Sequence, residues 1–126
     1  MTDTAPQVLV VDDDRDTREM LVRFLELEGF GVRGAANGEA ALATLQNGRL
    51  PCVILLDLMM PVMNGWEFRQ AQRQQPDLAS IPVVVVTAAG GRADIPAIPA
   101  DGWLSKPVDF DTLLHTIRAF CRQPGS

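Results

Sequence analysis

The sequence predicts an α/β protein built on a doubly wound, five-stranded parallel sheet with helices on both faces. Two observations carry this. Short apolar bursts alternate with longer amphipathic segments in the order β-α-β-α-β-α-β-(irregular)-β-α. Bursts such as "CVILLD" and "IPVVVV" are apolar at nearly every position, so both faces of those strands need cover, as in a parallel sheet between two helical layers.

Each element has its own signal. "QVLVV" (7–11) is a short, β-branched strand. In "RDTREMLVRFLELEG" (15–29), Met20, Leu21, Phe24 and Leu25 recur at helical spacing, and Gly29 supplies the stop. "GVRGAA" (31–36) reads as the second strand. "NGEAALATLQNG" (37–48) reads as a helix with Asn37 as N-cap and Gly48 past its end. "CVILLD" (52–57) is the third strand, "NGWEFRQAQRQ" (64–74) a helix, and "IPVVVVTA" (81–88) the fourth strand. "DGWLS" (101–105) is the fifth strand. "DFDTLLHTIRAFC" (109–121) places Leu113, Leu114, Ile117, Phe120 and Cys121 on one stripe behind Asp109 as N-cap.

At 126 residues the chain suits a single domain, 1–126, able to bury a core without disulfides or a structural metal. The net charge of −5 and the lack of any basic run argue against direct nucleic-acid binding. The apolar runs are too short to span a membrane, and the N-terminus shows no secretory signal. Cys52 and Cys121 share no motif spacing and are expected to be small hydrophobes in a reducing cytoplasm, not a disulfide.

In doubly wound sheets the chemistry collects outside the carboxyl ends of the strands. There the first strand ends in Asp12, Asp13 and Asp14, the third in Asp57, the fourth in Thr87 and the fifth in Lys106, the single lysine of the chain. Asp12, Asp13 and Asp57 together bring three negative charges, which need cations to share the site. Lys106 supplies one charge and a divalent ion two. Hard carboxylate oxygens without His or Cys favour Mg²⁺. A held ion, a hydroxyl and an ammonium around an Asp nucleophile are the parts phosphoryl transfer requires.

The set "VLVVDDD", "VILLDLMMPVMNG", "VVVVTAA" and "LSKP" resembles the receiver domain of two-component response regulators, over residues 7 to 122. The resemblance implies the flavodoxin/CheY-like three-layer sandwich with strand order 2-1-3-4-5. It makes Asp57 the phosphoacceptor, with a histidine kinase or histidine phosphotransfer protein as donor and a downstream protein as target. Asp12, Asp13, Asp57 and the Met59 carbonyl would hold Mg²⁺. Thr87 and Lys106 would contact the phosphoryl group, and the Lys106–Pro107 bond would be cis. Such a protein is a signalling phosphoacceptor that assists its own phosphorylation and dephosphorylation, and is not an enzyme in the turnover sense.

Other residues carry plainer readings. Asp14 fits an N-cap of the first helix. Pro61 and Gly65 shape the loop after Asp57, and Trp66 packs or lies on the surface. His115 sits in the last helix with nothing arranged to activate it as a phosphodonor.

The chain departs from the family in two places. Thr87 and Lys106 are 19 residues apart, fewer than usual. Pro96 and Pro99 fall in "GGRADIPAIPA" (90–100), and proline in a helix interior costs about 3 kcal/mol, so the family's fourth helix is expected to be short or missing. Trp103 occupies the position of the family's switch aromatic, where it serves either as that switch or as a space-filler.

Two other function classes stay open: a receiver-like binding module independent of phosphorylation, and an Asp-nucleophile phosphatase of the haloacid-dehalogenase type built on "DDD". The second leaves Asp57 unexplained. A flavodoxin reading fails because "DDDRD" stands where a phosphate cradle belongs. No output domain follows "CRQPGS", which leaves a stand-alone regulator or an excised domain as expectations.

Overall fold

A computed structural model of the chain describes residues 5–57, 65–88 and 101–121, without the side chains of residues 65, 66, 87 and 88. Its elements are β1 (Gln7–Val11), α1 (Arg15–Leu27), β2 (Gly31–Ala35), α2 (Gly38–Leu45), β3 (Val53–Asp57), α3 (Gly65–Arg73), α4 (Pro76–Ala79), β4 (Val83–Ala88), β5 (Gly102–Lys106) and α5 (Phe110–Phe120). The strands form one parallel sheet in the order β2-β1-β3-β4-β5, as expected.

Alternation along the strands divides the core into two layers. Leu9, Val11, Ile54, Leu56, Val83 and Val85 pack on one side with Ala41 and Leu45 of α2, Phe68 of α3 and Leu78 of α4. Val8, Val10, Val53, Leu55, Val84 and Val86 pack on the other with Leu21 and Leu25 of α1 and Leu113 and Ile117 of α5. Each fully buried Leu, Ile or Phe removes roughly 1.5–3 kcal/mol of unfavourable water contact. A stacked Phe24–Phe110 pair, ring centroids 4.3 Å apart, joins α1 to the first turn of α5.

The helix ends follow the side-chain chemistry. Asp14, Asn37 and Asp109 are N-caps, accepting hydrogen bonds from the main-chain N–H of Thr17, Ala40 and Thr112 at 3.0, 2.8 and 2.9 Å. Gly29 and Gly48 leave α1 and α2 with φ of 100° and 82°, where a side chain would clash with the backbone. Arg33, on β2, donates to the carbonyls of Thr44, Asn47 and Arg49 and so satisfies the C-terminal end of α2.

Three features differ from expectation or extend it. First, Cys52 and Cys121 form a disulfide with Cα atoms 5.4 Å apart, against the expectation of two separate thiols. The cause is topological: α5 returns across the sheet and delivers its C-cap to the residue that precedes β3, 69 positions earlier. Second, the short helix α4 follows α3, with Pro76 in its first turn. It is not the fourth helix of the family pattern, whose expected place, 90–100, lies outside the described residues. Third, Gln72 is fully buried on α3. Its Nε2 donates to the carbonyls of Leu78 and Ile81 at 2.8 and 3.1 Å, and its Oε1 accepts from Arg69 Nη1 at 2.9 Å. Arg69 also reaches Asp101 at 3.8 Å, and Asp101 accepts from the Val83 N–H at 2.8 Å. This network ties α3 and α4 to the amino ends of β4 and β5.

Candidate functional site

The order of strands reverses across β1 and β3, and both end on the same rim of the sheet. In the parallel register Val11 lies beside Leu56, so Asp12 emerges next to Asp57, the last residue of β3. β5 ends one strand further from β3, with Lys106 in register with Ala88. A lysine stem is long enough to reach back from there to the middle of the rim.

Three carboxylates converge. An oxygen from each of Asp12, Asp13 and Asp57 lies within 4.8 Å of the others. Asp12 and Asp57 are buried, at 2% and 6% exposure, whereas Asp13 is open to solvent. Lys106 Nζ stands 3.3 Å from Asp12 Oδ2 and 3.5 Å from Asp57 Oδ2. Partial burial pulls the Lys106 pKa down, but the Asp57 and Asp12 carboxylates outweigh it, and the net direction is up from the ordinary 10.5. The ammonium therefore stays charged. Three carboxylates against one ammonium leave an excess of two negative charges, which a hard divalent cation would neutralise.

Local structure holds the acids in place. Asp12 Oδ1 accepts from the Asp14 N–H at 2.9 Å, and Arg18 Nη1 donates to the Asp12 carbonyl at 2.8 Å. Arg18 had no sequence signal as a supporting residue; only the first turn of α1 folding back over the strand end brings it there. Asp14 belongs to α1, since its carboxylate accepts from both the hydroxyl and the N–H of Thr17. Those two bonds hold its pKa below the ordinary carboxylate value.

The remaining expected site residues are described in part or not at all. Thr87 lies in β4 in register with Ser105, next to the rim, and its side chain lies outside the described residues. Met59, the Pro61 loop and the Trp66 side chain also lie outside them. The Lys106–Pro107 peptide is cis. Trp103, in register with Val85, is partly buried against the α2/α3 core layer. His115 is exposed on α5.

A family model described as the response regulator receiver domain matches residues 8–118. The chain belongs to the response regulator receiver domain family. This receiver is 37% identical over 117 residues to a 14.6 kDa protein of the sodA1 3′ region of Leptolyngbya boryana, with 90% of this chain and 88% of that one covered. It is 38% identical over 120 residues to the response regulator MprA of Mycobacterium sp. (strain KMS), with 93% of this chain covered and 51% of MprA, so it spans about half that regulator. Among solved structures, it is similar to the chemotaxis response regulator CheY4 of Vibrio cholerae, with a TM-score of 0.81, 36% identity and coverage of 93% and 99%. Among the described residues, no helix of the receiver is long and apolar enough to cross a membrane.

Proposed function

We propose that this receiver accepts a phosphoryl group on Asp57 from a phosphohistidine of a kinase or phosphotransfer protein, with Mg²⁺, and regulates a downstream protein. The observation that carries the reading is the rim cluster, in which three carboxylates within 4.8 Å of one another face one ammonium. Its donor set fits Mg²⁺: oxygen atoms only, an excess of two negative charges, and one acid open to solvent. Asp12, Asp13, Asp57 and the Met59 carbonyl are the candidate ligands. Bound there, the ion would neutralise charge on the phosphoryl oxygens.

The chain's own groups would act as follows. A carboxylate oxygen of Asp57 attacks phosphorus as the P–N bond of the phosphohistidine breaks, leaving an aspartyl phosphate and a free imidazole. Lys106 is already held against Asp57 and would pair with a phosphoryl oxygen without crossing the site. The Thr87 hydroxyl would hold another oxygen, coupling β4 to the state of Asp57. Water later attacks phosphorus, releasing inorganic phosphate and restoring the carboxylate, which resets the acceptor. The net charge of −5 favours a protein target over nucleic acid.

A small phosphodonor such as acetyl phosphate with Mg²⁺ is expected to add one phosphoryl group to the intact mass, and Asp57→Asn to abolish the addition. Absence of any adduct with either a small donor or a phosphorylated histidine phosphotransfer protein would overturn the proposal. Equal target binding by wild type and Asp57→Asn would instead favour a phosphorylation-independent binding module.

A further inference from the structure

The disulfide closes a ring that includes the rim site. From Cys52 the chain runs straight along β3 to Asp57. From Lys106 it runs through Asp109 and α5 to Cys121, the C-cap of that helix. Asp57 and Lys106 meet at 3.5 Å at one end of this ring, and Cys52 and Cys121 are bonded at the other. α5 thus follows a strand whose last residue pairs with Asp57, and a covalent bond holds its own trailing end.

Each cysteine sits in surroundings that suit a thiol as well as a bonded sulfur. Cys121 is 2% exposed and packs in the α1/α5 core layer, where a reduced thiol is an ordinary small hydrophobe. Cys52 Sγ lies 3.1 Å from the Gln7 carbonyl, which can accept an S–H donor once the bond is open. The two core layers are filled by residues on every strand, a core of the kind a chain this long can bury without a disulfide. Cys52 is also partly exposed, so a small reagent can reach it while Cys121 stays covered. The chain has two cysteines in all, so no other internal pairing competes.

We infer that Cys52 and Cys121 are a reversible redox site that pins the last turn of α5 to the foot of β3, exchanging with low-molecular-weight disulfides such as oxidised glutathione. The Cys52 thiolate attacks one sulfur of the small disulfide, forming a mixed disulfide and releasing one thiol. The Cys121 thiolate then attacks Cys52 Sγ and releases the second thiol. The protein loses two protons and two electrons, and the small disulfide is reduced to two thiols.

The test uses the full chain equilibrated in glutathione redox buffers, read by intact mass after alkylation and by hydrogen exchange. Alkylated after denaturation, the oxidised chain should show neither thiol and keep the oligomeric state of the reduced chain, and excess reduced glutathione acting on the folded chain should restore both. The Cys121 amide, which donates to the Ile117 carbonyl at 2.8 Å, should exchange about tenfold more slowly when oxidised. Cys121→Ser should stop at one glutathione adduct on Cys52, and Cys52→Ser should take none. The proposal is overturned by thiols that stay alkylatable under oxidising buffer, by a bond that resists reduced glutathione in the folded chain, or by equal exchange in the two states. None of these readouts involves phosphorylation, so the inference stands or falls separately from the proposed function.

Discussion

Replacing Lys106 with Met keeps an unbranched stem of similar length and removes the ammonium that faces Asp12 and Asp57. At separations of 3.3 and 3.5 Å and an effective dielectric near 20, each contact carries roughly 5 kcal/mol of gross attraction. Most of that is offset by desolvation of the charges. Breaking a fully buried pair costs about 3–5 kcal/mol and a surface pair about 0–1. The Lys106 side chain is 30% exposed, against 3% for Asp12 and 9% for Asp57, so this case falls between those limits. We expect Lys106→Met to lose about 2 kcal/mol at neutral pH without divalent cations, a fall of about 1 M in the urea midpoint. The loss should shrink in an Asp57→Asn background, where one fewer carboxylate is left unpaired. Because the Lys106 pKa is raised in the folded state, its contribution is complete below 10.5 and is lost as pH rises through the higher native value. A Lys106→Met protein as stable as wild type, or an undiminished loss in the Asp57→Asn background, would refute this electrostatic account.

Three further outcomes follow from the same structure. Gln72→Ala removes a donor from the Leu78 and Ile81 carbonyls and the acceptor of Arg69 Nη1 and opens a cavity, which should cost about 2–4 kcal/mol in urea unfolding; a loss under about 1 kcal/mol would mean that water replaces the network. Asp14→Ala should destabilise by a constant amount near neutral pH, and the gap should close as pH falls below 3.8 through the lowered native pKa; a gap that persists in acid would show that the cap does not act through its charge. Mg²⁺ at tenfold its dissociation constant should stabilise the receiver by about 1.4 kcal/mol, reversed by EDTA and reduced in Asp13→Asn; an equal thermal shift in Asp13→Asn would remove Asp13 from the ligand set.

Much of the fold was legible because its signals are local. Continuous apolar runs marked buried strands, and Asp14, Asn37 and Asp109 marked helix starts, because a cap needs only a short polar side chain three residues before a free N–H. The short helix α4 was missed although "QQPDLAS" carries a proline suited to a first helical turn; four residues are too few to show a period. The Arg69–Gln72–Asp101 network had no signal either, since each member alone reads as a polar surface residue.

By itself, the sequence determined the order of the strands and of the helices other than α4, and that acids, Thr87 and Lys106 stand at strand ends. Hydrophobic period and strand polarity are properties of the chain read in order. Only the tertiary structure decided how close those groups come. The Val11–Leu56 register places Asp12 beside Asp57, and the reach of Lys106 from β5 fixes which carboxylates it pairs with. It also decided the state of the two cysteines, because a distance across 69 residues depends on where α5 docks and on nothing local to either residue.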